Sequence, residues 1–600
     1  MKRTLSTNLL PIAKRTRSCA PALVNGLDIP KRDFPWVSPS KLRNYMLKDA
    51  LVDWYAKHDS SPNISNQNFD RVSNFKKQMG IRFERKVFDC LIQRELDIEM
   101  VSTHYSRDNV KITQNLMKQG VPFLYQASLC NPYNRTYGIA DLLVRSDYLD
   151  QLVTISPLTQ DEKTIPARKL GTPYHYVVVD IKASNLTLNS DGKHLRNSGS
   201  FPAYKAQLWI YNRALGHLQG YHPRCAYVLG RSWKYTKGGE TFQGNNCLDR
   251  LGTIDFFGWD QKYIEETRKA TCWYRDLLRD GHKMDPRNPC RDELRPNMCV
   301  DSGFWNKKKK ELAESTGDIT MLYYCGTKHR KQADSNGIKS FRDPACCSEA
   351  IGMGGTRAKL IDSIIDINRQ SGELIRPHTI KSDFFNWKNG MINEFFVDFE
   401  VFNDIFDSFD ELPYKKRTDM IFLIGVGYID NGTWKYKNFR CERPTLEEEY
   451  RIMQEFMDFI NGEGIHPKLW FWHAEDNFWR RYAQRQADRT TSSKFFDDIV
   501  NSLDWKWYWA DLKKVFEKTP ITIKGCYNFK LKEIASQMLK HRMITTKLDT
   551  NCQNGFEAMV EAWEYYKGAP GSNMDDIVRY NEYDCKVLWD MLRYLRENHI

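Results

Sequence analysis

The sequence lacks features that define several classes of protein. No stretch approaches the roughly 18 consecutive apolar residues of a membrane-spanning helix, and the best run, MIFLIGVGYI from Met420, is shorter and broken by glycine. The first thirty residues contain neither the apolar segment nor the small-residue cleavage site of a secretory signal. There is no P-loop GxxxxGK[ST], so ATP-driven translocation is not encoded and any helicase is a separate partner. We therefore expect an intracellular protein with no membrane partner.

Close cysteine pairs are also missing. The fifteen cysteines are scattered, with one adjacent pair and no CxxC. An odd number in a long chain is typical of reduced thiols in an intracellular compartment. A zinc or iron–sulfur site assembled from distant residues stays an alternative, with candidates Cys272, Cys290, Cys299 and Cys325. Because no close pair anchors such a site, we expect no iron–sulfur cluster.

What the sequence does contain favours a large globular protein with a polyanionic partner. A chain of six hundred residues is too long for a single hydrophobic core, and its length suggests roughly three to four domains. Hydrophobic residues make up 41% and aromatic residues 13%, enough to bury substantial cores. The 89 basic and 76 acidic residues leave a net charge of +13. This excess favours nucleic acid as the partner.

The chain divides into four regions. Residues 1–35 form a basic flexible tail, in which Lys2-Arg3 and Lys14–Arg17 resemble a bipartite nuclear-import signal; a solvated tail that touches phosphates is the alternative. Residues 36–285 alternate helical segments with strand-like runs, and residues 391–600 do the same. The alternation predicts the α/β fold class. The import-signal pattern predicts that the protein is located in the nucleus, or otherwise in the cytoplasm.

Residues 286–390 are expected to form a mostly helical connector between the two α/β regions. Within them, GDITMLYYCGTKHRKQADSNGI is either a helix-hairpin-helix module or a plain helical connector. The run from Lys307 to Lys310 follows Trp305, and it either tracks a phosphate backbone or forms a solvated helix face.

A first group of acidic residues lies in the region 36–285. Glu84 belongs to the helical segment GIRFERKVF, Asp141 ends YGIAD, and VVVDIKA contains Asp180 and Lys182. Because strand side chains alternate, Asp180 and Lys182 project from one face. Carboxylates hold Mg²⁺ or Mn²⁺, the metal activates water, and a lysine stabilises the transition state. The group therefore has the composition that metal-assisted phosphodiester hydrolysis requires.

A helix in YKAQLWIYNRAL completes this group by placing Gln207 and Tyr211 on one face. The order Glu, GxxD, DxK, QxxxY resembles the RecB-like branch of the PD-(D/E)xK nucleases over residues 36–285. The resemblance implies a restriction-endonuclease-like domain with Glu84, Asp141 and Asp180 as metal ligands. It also implies a catalytic Lys182, and substrate contacts from Gln207 and Tyr211. An α/β domain with ordinary buried ion pairs is the alternative.

A second group of acidic residues lies in the region 391–600. FFVDFEVF carries Asp398 and Glu400 on one strand face. Buried unpaired carboxylates are costly, so a bound cation explains them. Glu475 and Asp476 follow the next apolar strand in LWFWHAEDNFW, and VRYNEYDCKVLWDML carries Tyr580 and Asp584 at i and i+4.

This second pattern resembles the tyrosine variant of the DEDD exonucleases in the RNase H-like superfamily. The resemblance implies two divalent ions, Mg²⁺ or Mn²⁺, held by Asp398, Glu400, a central acid and Asp584. It also implies that Tyr580 orients the nucleophilic water. We choose Glu475 as the central acid because the apolar Trp479 follows four residues later, and Asp476 is the alternative. A degenerate, non-catalytic domain is the competing interpretation.

The tandem arrangement resembles predicted RecB-type nucleases with a fused RNase H-like domain, found in prokaryotes and large DNA viruses. It implies an exonuclease that hydrolyses DNA ends or single-stranded intermediates in replication, repair or recombination. DNA is expected rather than RNA, together with a separate helicase or a replication or repair factor as partner. Two alternatives remain: an RNA-processing or RNA-decay exonuclease, and a catalytically inert nucleic-acid-binding scaffold.

Overall fold

The computed structural model describes residues 35–59, 67–390, 393–416, 418–461, 467–489 and 508–600, with positions 497 and 499. Nearly all of the basic tail, including its import-signal pattern, lies outside these ranges. Helices and strands alternate along the chain, which confirms the α/β class expected from the sequence. Within the described ranges, no helix combines the length and the apolar character needed to cross a membrane.

The first region is built on a six-stranded sheet flanked by helices. Its strands are β1 (Ile98–Met100), β2 (Phe123–Asn131), β3 (Thr136–Arg145), β4 (Tyr176–Ile181), β5 (Asn185–Thr187), β6 (Cys225–Leu229), β7 (Ser232–Lys237), β8 (Glu240–Gly244) and β9 (Gly252–Asp255). Its helices are α1 (Arg43–Met46), α2 (Leu51–His58), α3 (Gln67–Gln93), α4 (Arg107–Gln119), α5 (Leu149–Leu152), α6 (Gln160–Lys163), α7 (Phe201–Gln219) and α8 (Lys262–Asp280). The sheet order is β1-β2-β3-β4-β6-β9, and β5, β7 and β8 form a separate small sheet.

The central strands are apolar on both faces because helices cover both sides of the sheet. Val177 and Val179 of β4 pack in one cluster with Phe83 of α3. Val178 points to the other face and packs in a cluster that includes Ile210 of α7. Strand alternation therefore sends Asp180, two residues after Val178, toward the α7 side of the sheet.

The connector contains α9 (Asn306–Thr316), α10 (Thr327–Ser335), α11 (Thr356–Arg369) and the short strand β10 (Ile375–Arg376). In the segment considered for a helix-hairpin-helix, a single 3-10 turn over Ile319–Met321 precedes α10. Apolar connector side chains such as Ile361 share one buried cluster with Leu588 of the C-terminal region. The connector therefore packs against the C-terminal region.

The lysine run on α9 is used for internal ion pairs. Lys309 is fully buried, and its ammonium lies 2.8 Å from Asp49. Lys308 pairs with Asp59 of the first region. Lys310 lies 2.9 Å from Glu533 of the C-terminal region. Both interpretations of the run, as a phosphate track and as a solvated face, are wrong for Lys309, because burial requires the charge to be paired inside the protein.

The C-terminal region is built on a five-stranded sheet. Its strands are β11 (Glu394–Phe402), β12 (Met420–Asp430), β13 (Thr433–Arg440), β14 (Lys468–Phe471), β15 (Tyr508–Asp511) and β16 (Thr522–Ile523), the last pairing with β10. Its helices include α12 (Leu446–Asn461), α13 (Glu475–Arg489), α14 (Leu512–Lys518), α15 (Leu531–Lys540), α16 (Gly555–Tyr566) and α17 (Met574–Asn598). The sheet order is β13-β12-β11-β14-β15, with the first three strands antiparallel and the last two parallel to β11.

A loop between β11 and β12 reaches from the C-terminal region into the first region. We call residues 403–416 the bridging loop. Asp404 in this loop accepts hydrogen bonds from Arg231 at 2.6 Å and from Asn185 at 2.8 Å, and it pairs with Lys415 at 2.5 Å. The backbone N–H of Lys415 donates to the carbonyl of Asn245 at 2.7 Å. The two regions are therefore joined by buried polar contacts.

Helix α3 makes a second set of contacts between the two regions. Phe75 stacks on Phe406 of the bridging loop with ring centroids 4.8 Å apart. Phe83 meets Phe409 edge-on at 5.3 Å. Near its N-terminal end, α3 also places Arg71 in ion pairs with α16. One helix thus belongs to the core of the first region and to the surface of the second.

The first prediction concerns the acid dependence of this junction. Burial would raise the pKa of Asp404, but the charge of Arg231 and the hydrogen bonds from Lys415 and Asn185 lower it from 3.8 to about 2. A depressed folded-state pKa stabilises the protein above the unfolded value, and this stability is lost as the pH falls toward 2. We expect Asp404→Asn to lower the free energy of unfolding by about 2 kcal/mol at pH 7.

Urea unfolding followed by tryptophan fluorescence between pH 7 and pH 3 measures this effect. The difference between wild type and Asp404→Asn should shrink as the pH approaches 3. Asp410→Asn is the matched control, because Asp410 lies in the same loop but forms an exposed pair with Lys86 and should change stability little. A difference that stays constant with pH contradicts the expectation.

Candidate active sites

The first site lies where β3 and β4 meet α3 and α7. Asp180 is fully buried near the end of β4, and its Oδ2 lies 2.7 Å from the ammonium of Lys182. The same ammonium lies 3.6 Å from Oδ2 of Asp141 on β3. Asp141 also accepts the backbone N–H of Ile181 at 2.8 Å. The Lys182 side chain is 20% exposed.

Glu84 reaches this site from α3 and is held by two residues of β2. Its Oε1 accepts a hydrogen bond from the Tyr125 hydroxyl at 2.9 Å and another from the amide of Gln126. Gln126 lies between Tyr125 and Ala127, which pair with Leu142 and Ala140 of β3. It has a φ of +53°, a left-handed backbone that is costly for a non-glycine residue. Sequence reasoning missed Gln126; the available signal was a polar residue inside the apolar strand VPFLYQASL.

The first site contains less positive charge than its three carboxylates need for compensation. Burial and the charge of Asp141 raise the pKa of Glu84. Burial raises the pKa of Asp180 well above its ordinary value, although Lys182 opposes this. Burial would lower the pKa of Lys182, but Asp180 and Asp141 prevail and raise it. Three carboxylates thus share one ammonium, and a further cation would stabilise their ionised forms.

Helix α7 supplies the remaining predicted residues. The amide of Gln207 donates to Oδ1 of Asp180 at 3.3 Å and to the Tyr211 hydroxyl at 3.2 Å. The Tyr211 ring lies against Gly138 of β3, where an added Cβ would lie only 2.5 Å from Cε1 of the ring. The glycine of the GxxD motif therefore makes room for Tyr211. All six residues predicted from the sequence lie together in this site.

The second prediction tests the close approach of Tyr211 to β3. In Gly138→Ala the new methyl group displaces Tyr211, so we expect the free energy of unfolding to fall by about 1–3 kcal/mol, as in overpacked cores. Gly80→Ala in α3 is the matched control, because no atom lies within 4 Å of the added Cβ. In a helix this change should be neutral or stabilising by up to about 1 kcal/mol. Urea unfolding measures both, and equal stability of the two variants contradicts the account.

The second site begins with the two acids of β11. Asp398 Oδ2 accepts a hydrogen bond from the amide of Asn581 on α17 at 2.7 Å. Asp398 pairs with Gly425 of β12, and a Cβ at Gly425 would lie 1.6 Å from Oδ1 of Asn581. Glycine in the apolar run of β12 therefore gives Asn581 access to Asp398. Glu400 follows on the same strand and is 5% exposed.

Helix α17 also carries Tyr580 and Asp584, and both contact a lysine from α15. The Lys532 ammonium lies 3.2 Å from Oδ2 of Asp584, donates to the Tyr580 hydroxyl, and lies 3.5 Å from the centroid of the Tyr580 ring. Sequence reasoning assigned no role to Lys532 or to Asn581. The available signals were the segments NFKLKEIA and YNEYDC that contain them.

The structure separates the two candidates for the central acid. Glu475 begins α13 and is 6% exposed, and its charge contributes to the raised pKa of Asp398. Asp476 is half-buried and accepts the backbone N–H of Asn477 at 2.8 Å. Glu475 also accepts the backbone N–H of Ala474 at 3.1 Å. The two acids therefore differ in burial and in their influence on Asp398, and not in contacts with the helix start. Asp511 lies near Glu475 at the end of β15, where it caps α14 through the N–H of Lys514 at 3.3 Å.

Burial raises the pKa of each of the four acids of the second site, and neighbouring acids add to this rise for Asp398, Glu400 and Glu475. Burial, followed by the charges of Asp584, Glu400 and Glu475, raises the pKa of Asp398 well above its ordinary value. Burial is also the first cause that raises the pKa of Glu400 to about 7 and that of Glu475 to about 8. The pKa of Asp584 rises by burial, against the opposing charge of Lys532. Burial and the neighbouring acids raise the pKa of Tyr580, which keeps its hydroxyl protonated.

This donor set fits a hard divalent cation. Oε1 of Glu400 and Oδ1 of Asp584 are buried without a hydrogen-bond partner, and such oxygens are the ligands that Mg²⁺ and Mn²⁺ prefer. Among the described residues, no three His, Cys, Asp or Glu side chains converge tightly enough to coordinate one ion. The Lys532 ammonium lies 3.2 Å from Oδ2 of Asp584.

Comparison with protein families gives a match in this part of the chain. Residues 410–596 match a family model of the RNase H superfamily, which covers less than a third of the 600 residues. The match contains Glu475, Lys532, Tyr580 and Asp584 and begins after Asp398 and Glu400. A domain of this superfamily indicates nuclease-type activity on nucleic acids. Comparison with curated proteins and with solved structures found no match.

The third prediction concerns the lysine that sequence reasoning missed. Lys532→Met removes a positive charge from the acid cluster, so we expect Mn²⁺ to bind several-fold more tightly, while any cleavage that depends on Tyr580 becomes slower. Calorimetric titration with Mn²⁺ measures the affinity. Lys530→Met is the matched control, since Lys530 is exposed and two residues away. Unchanged or weaker Mn²⁺ binding in Lys532→Met contradicts the assignment of Lys532 to the site.

Proposed function

We propose that this protein is a metal-dependent nuclease with two active sites that hydrolyses phosphodiester bonds of DNA. The observation that carries the proposal is the group of four carboxylates around Tyr580 and Lys532. Glu400, Glu475 and Asp584 are buried, and Asp398 is half-buried. Glu475 and Asp584 lie within the residues that match the RNase H superfamily, and the other two acids precede the match. Burying four acids together is unfavourable unless cations compensate them, so their assembly supports a role in metal binding.

In the second site, the residues divide into ligands and positioning groups. Asp398, Glu400, Glu475 and Asp584 would hold two divalent ions, Mg²⁺ or Mn²⁺. Bound ions supply Lewis acidity at the scissile phosphate. The protonated Tyr580 hydroxyl orients the attacking water, and Lys532 fixes the position of that hydroxyl by its hydrogen bond. Asn581 holds the carboxylate of Asp398 in place.

In the first site, the proposal is a RecB-like PD-(D/E)xK nuclease centre. The succession α3, β2, β3, β4, α7, β6, with the three strands antiparallel and β6 parallel to β4, supports it. Glu84, Asp141 and Asp180 would hold the metal, and Lys182 would stabilise negative charge on the phosphate. Gln207 fixes the carboxylate of Asp180 and donates a hydrogen bond to Tyr211. These two residues would help to hold the substrate.

The proposed substrate is a DNA end or a single-stranded intermediate of replication, repair or recombination. The RecB-like motif order of the first region favours DNA over RNA. The DEDD-like motif order of the second region favours digestion from the 3′ end. We propose no direction for the first site.

The fourth prediction separates the two sites by mutation. Asp180→Asn and Asp398→Asn should each abolish a different part of the product pattern, with losses of about 100-fold or more, because a catalytic metal supplies several kcal/mol. Cleavage is measured with end-labelled single-stranded DNA, duplex DNA and RNA in Mn²⁺ or Mg²⁺, with EDTA as the metal-free control. The matched controls are Asp108→Asn, exposed on α4, and Asp488→Asn, exposed on α13; both should retain activity.

Two outcomes contradict the proposal in different ways. Unchanged products from both Asp→Asn variants exclude the two sites as catalysts. Tight, salt-sensitive binding without cleavage of any strand indicates a nucleic-acid-binding scaffold instead. Cleavage of RNA but not of DNA supports metal-dependent phosphodiester hydrolysis and contradicts the proposal that DNA is the substrate.

A further inference from the structure

The catalytic strands of the two sites both end at the junction between the regions. Beyond the end of β4, the chain passes Lys182 and reaches Asn185. From Glu400, β11 continues to Phe402 and the chain then reaches Asp404. The amide of Asn185 donates to Oδ2 of Asp404 at 2.8 Å. Both sites therefore lie next to this contact, on the carboxyl-terminal sides of their strands.

The short connections set an upper limit on the distance between the sites. Asn185 lies three positions after Lys182 and Asp404 lies four positions after Glu400, so the chain contributes at most about 25 Å. The hydrogen-bonded side chains of Asn185 and Asp404 add about 10 Å. The Cα atoms of Lys182 and Glu400 thus lie within about 35 Å, which corresponds to about ten base pairs of duplex.

The junction also holds the sites in a fixed relation. Arg231, which is 3% exposed, donates to the Asp404 side chain and to its backbone carbonyl. On the other side, α3 is one continuous helix that joins Arg71, paired with α16, to Glu84 of the first site. Two independent connections, one polar and one helical, therefore resist separation of the sites.

We propose that one nucleic-acid molecule reaches both sites in a single binding event, so that the protein cuts a DNA end at two places without releasing it. This inference rests on the proposed nuclease function and extends it to the substrate class: a DNA end long enough to span both sites. The contact between Asn185 and Asp404, a few residues beyond both catalytic strands, carries this inference.

The test, which is the fifth prediction, compares two active sites in one chain with the same sites in separate chains. Wild-type protein and an equimolar mixture of Asp180→Asn and Asp398→Asn act on excess duplex DNA with a different fluorophore on each strand. While only a small fraction of substrate is consumed, wild type should yield several-fold more molecules processed by both sites. A mixture of Asp108→Asn and Asp488→Asn, in which both replaced acids are exposed, is the matched control and should behave as wild type. Equal yields from wild type and the inactivated mixture overturn the inference.

Failure of the inference is distinguishable from failure of the proposed function. If no variant and no wild-type protein cleaves DNA, the nuclease proposal fails. Binding then decides the inference, using the doubly substituted Asp180→Asn, Asp398→Asn protein with Ca²⁺ and a DNA duplex longer than about ten base pairs. One duplex bound per chain in sedimentation supports a shared binding event, and two independently bound duplexes per chain overturn it.

Discussion

Each candidate site crowds several carboxylates around a single lysine ammonium. Lys182 faces Asp180 and Asp141, and Lys532 faces Asp584 and the acids grouped with it. In a buried environment like charges cannot all ionise without compensation, and one ammonium compensates only part of them. The raised pKa values of Asp180 and Asp398 follow from this imbalance. The surrounding fold therefore has to hold the acids of each site together against their repulsion. Added cations would stabilise the ionised acids in both sites.

The fold holds the clusters together by bringing a helix unusually close to a strand. In the first site Tyr211 occupies the space that Gly138 leaves open, and in the second Asn581 occupies the space at Gly425. Each helix residue then fixes a carboxylate, through Gln207 in one case and directly in the other. The same packing solution thus appears in two unrelated sheets. Its consequence is that these glycines belong to the sites although they carry no functional group.

The sequence allowed prediction of what depends on local periodicity. Alternation along a strand placed Asp398 and Glu400 on one face, and helical spacing placed Gln207 and Tyr211 together. The residues that sequence reasoning missed reach the sites through tertiary packing. Lys532 arrives from α15, about fifty residues before Tyr580, and Gln126 depends on one left-handed backbone position. The local signals, a polar residue in VPFLYQASL and the segment NFKLKEIA, did not by themselves place either residue in a site.

The same limit explains the lysine run and the bridging loop. Local composition suggested an exposed basic surface at Lys307–Lys310, but the partner Asp49 lies far away in sequence and buries Lys309. Asp404 likewise looks like an ordinary loop residue until Arg231 and Asn185 are placed beside it. Long-range ion pairs of this kind decide how the two regions fit together. These ion pairs are therefore the part of the architecture that could not be predicted from the sequence.

The central claim is that both acid clusters are divalent-metal sites. Anomalous X-ray scattering from crystals soaked in Mn²⁺ tests it most directly, because it locates the ions independently of any substrate. The account predicts anomalous peaks among Glu84, Asp141 and Asp180, and two peaks among Asp398, Glu400, Glu475 and Asp584. The absence of peaks at both clusters, in crystals that bind Mn²⁺ elsewhere, would contradict it.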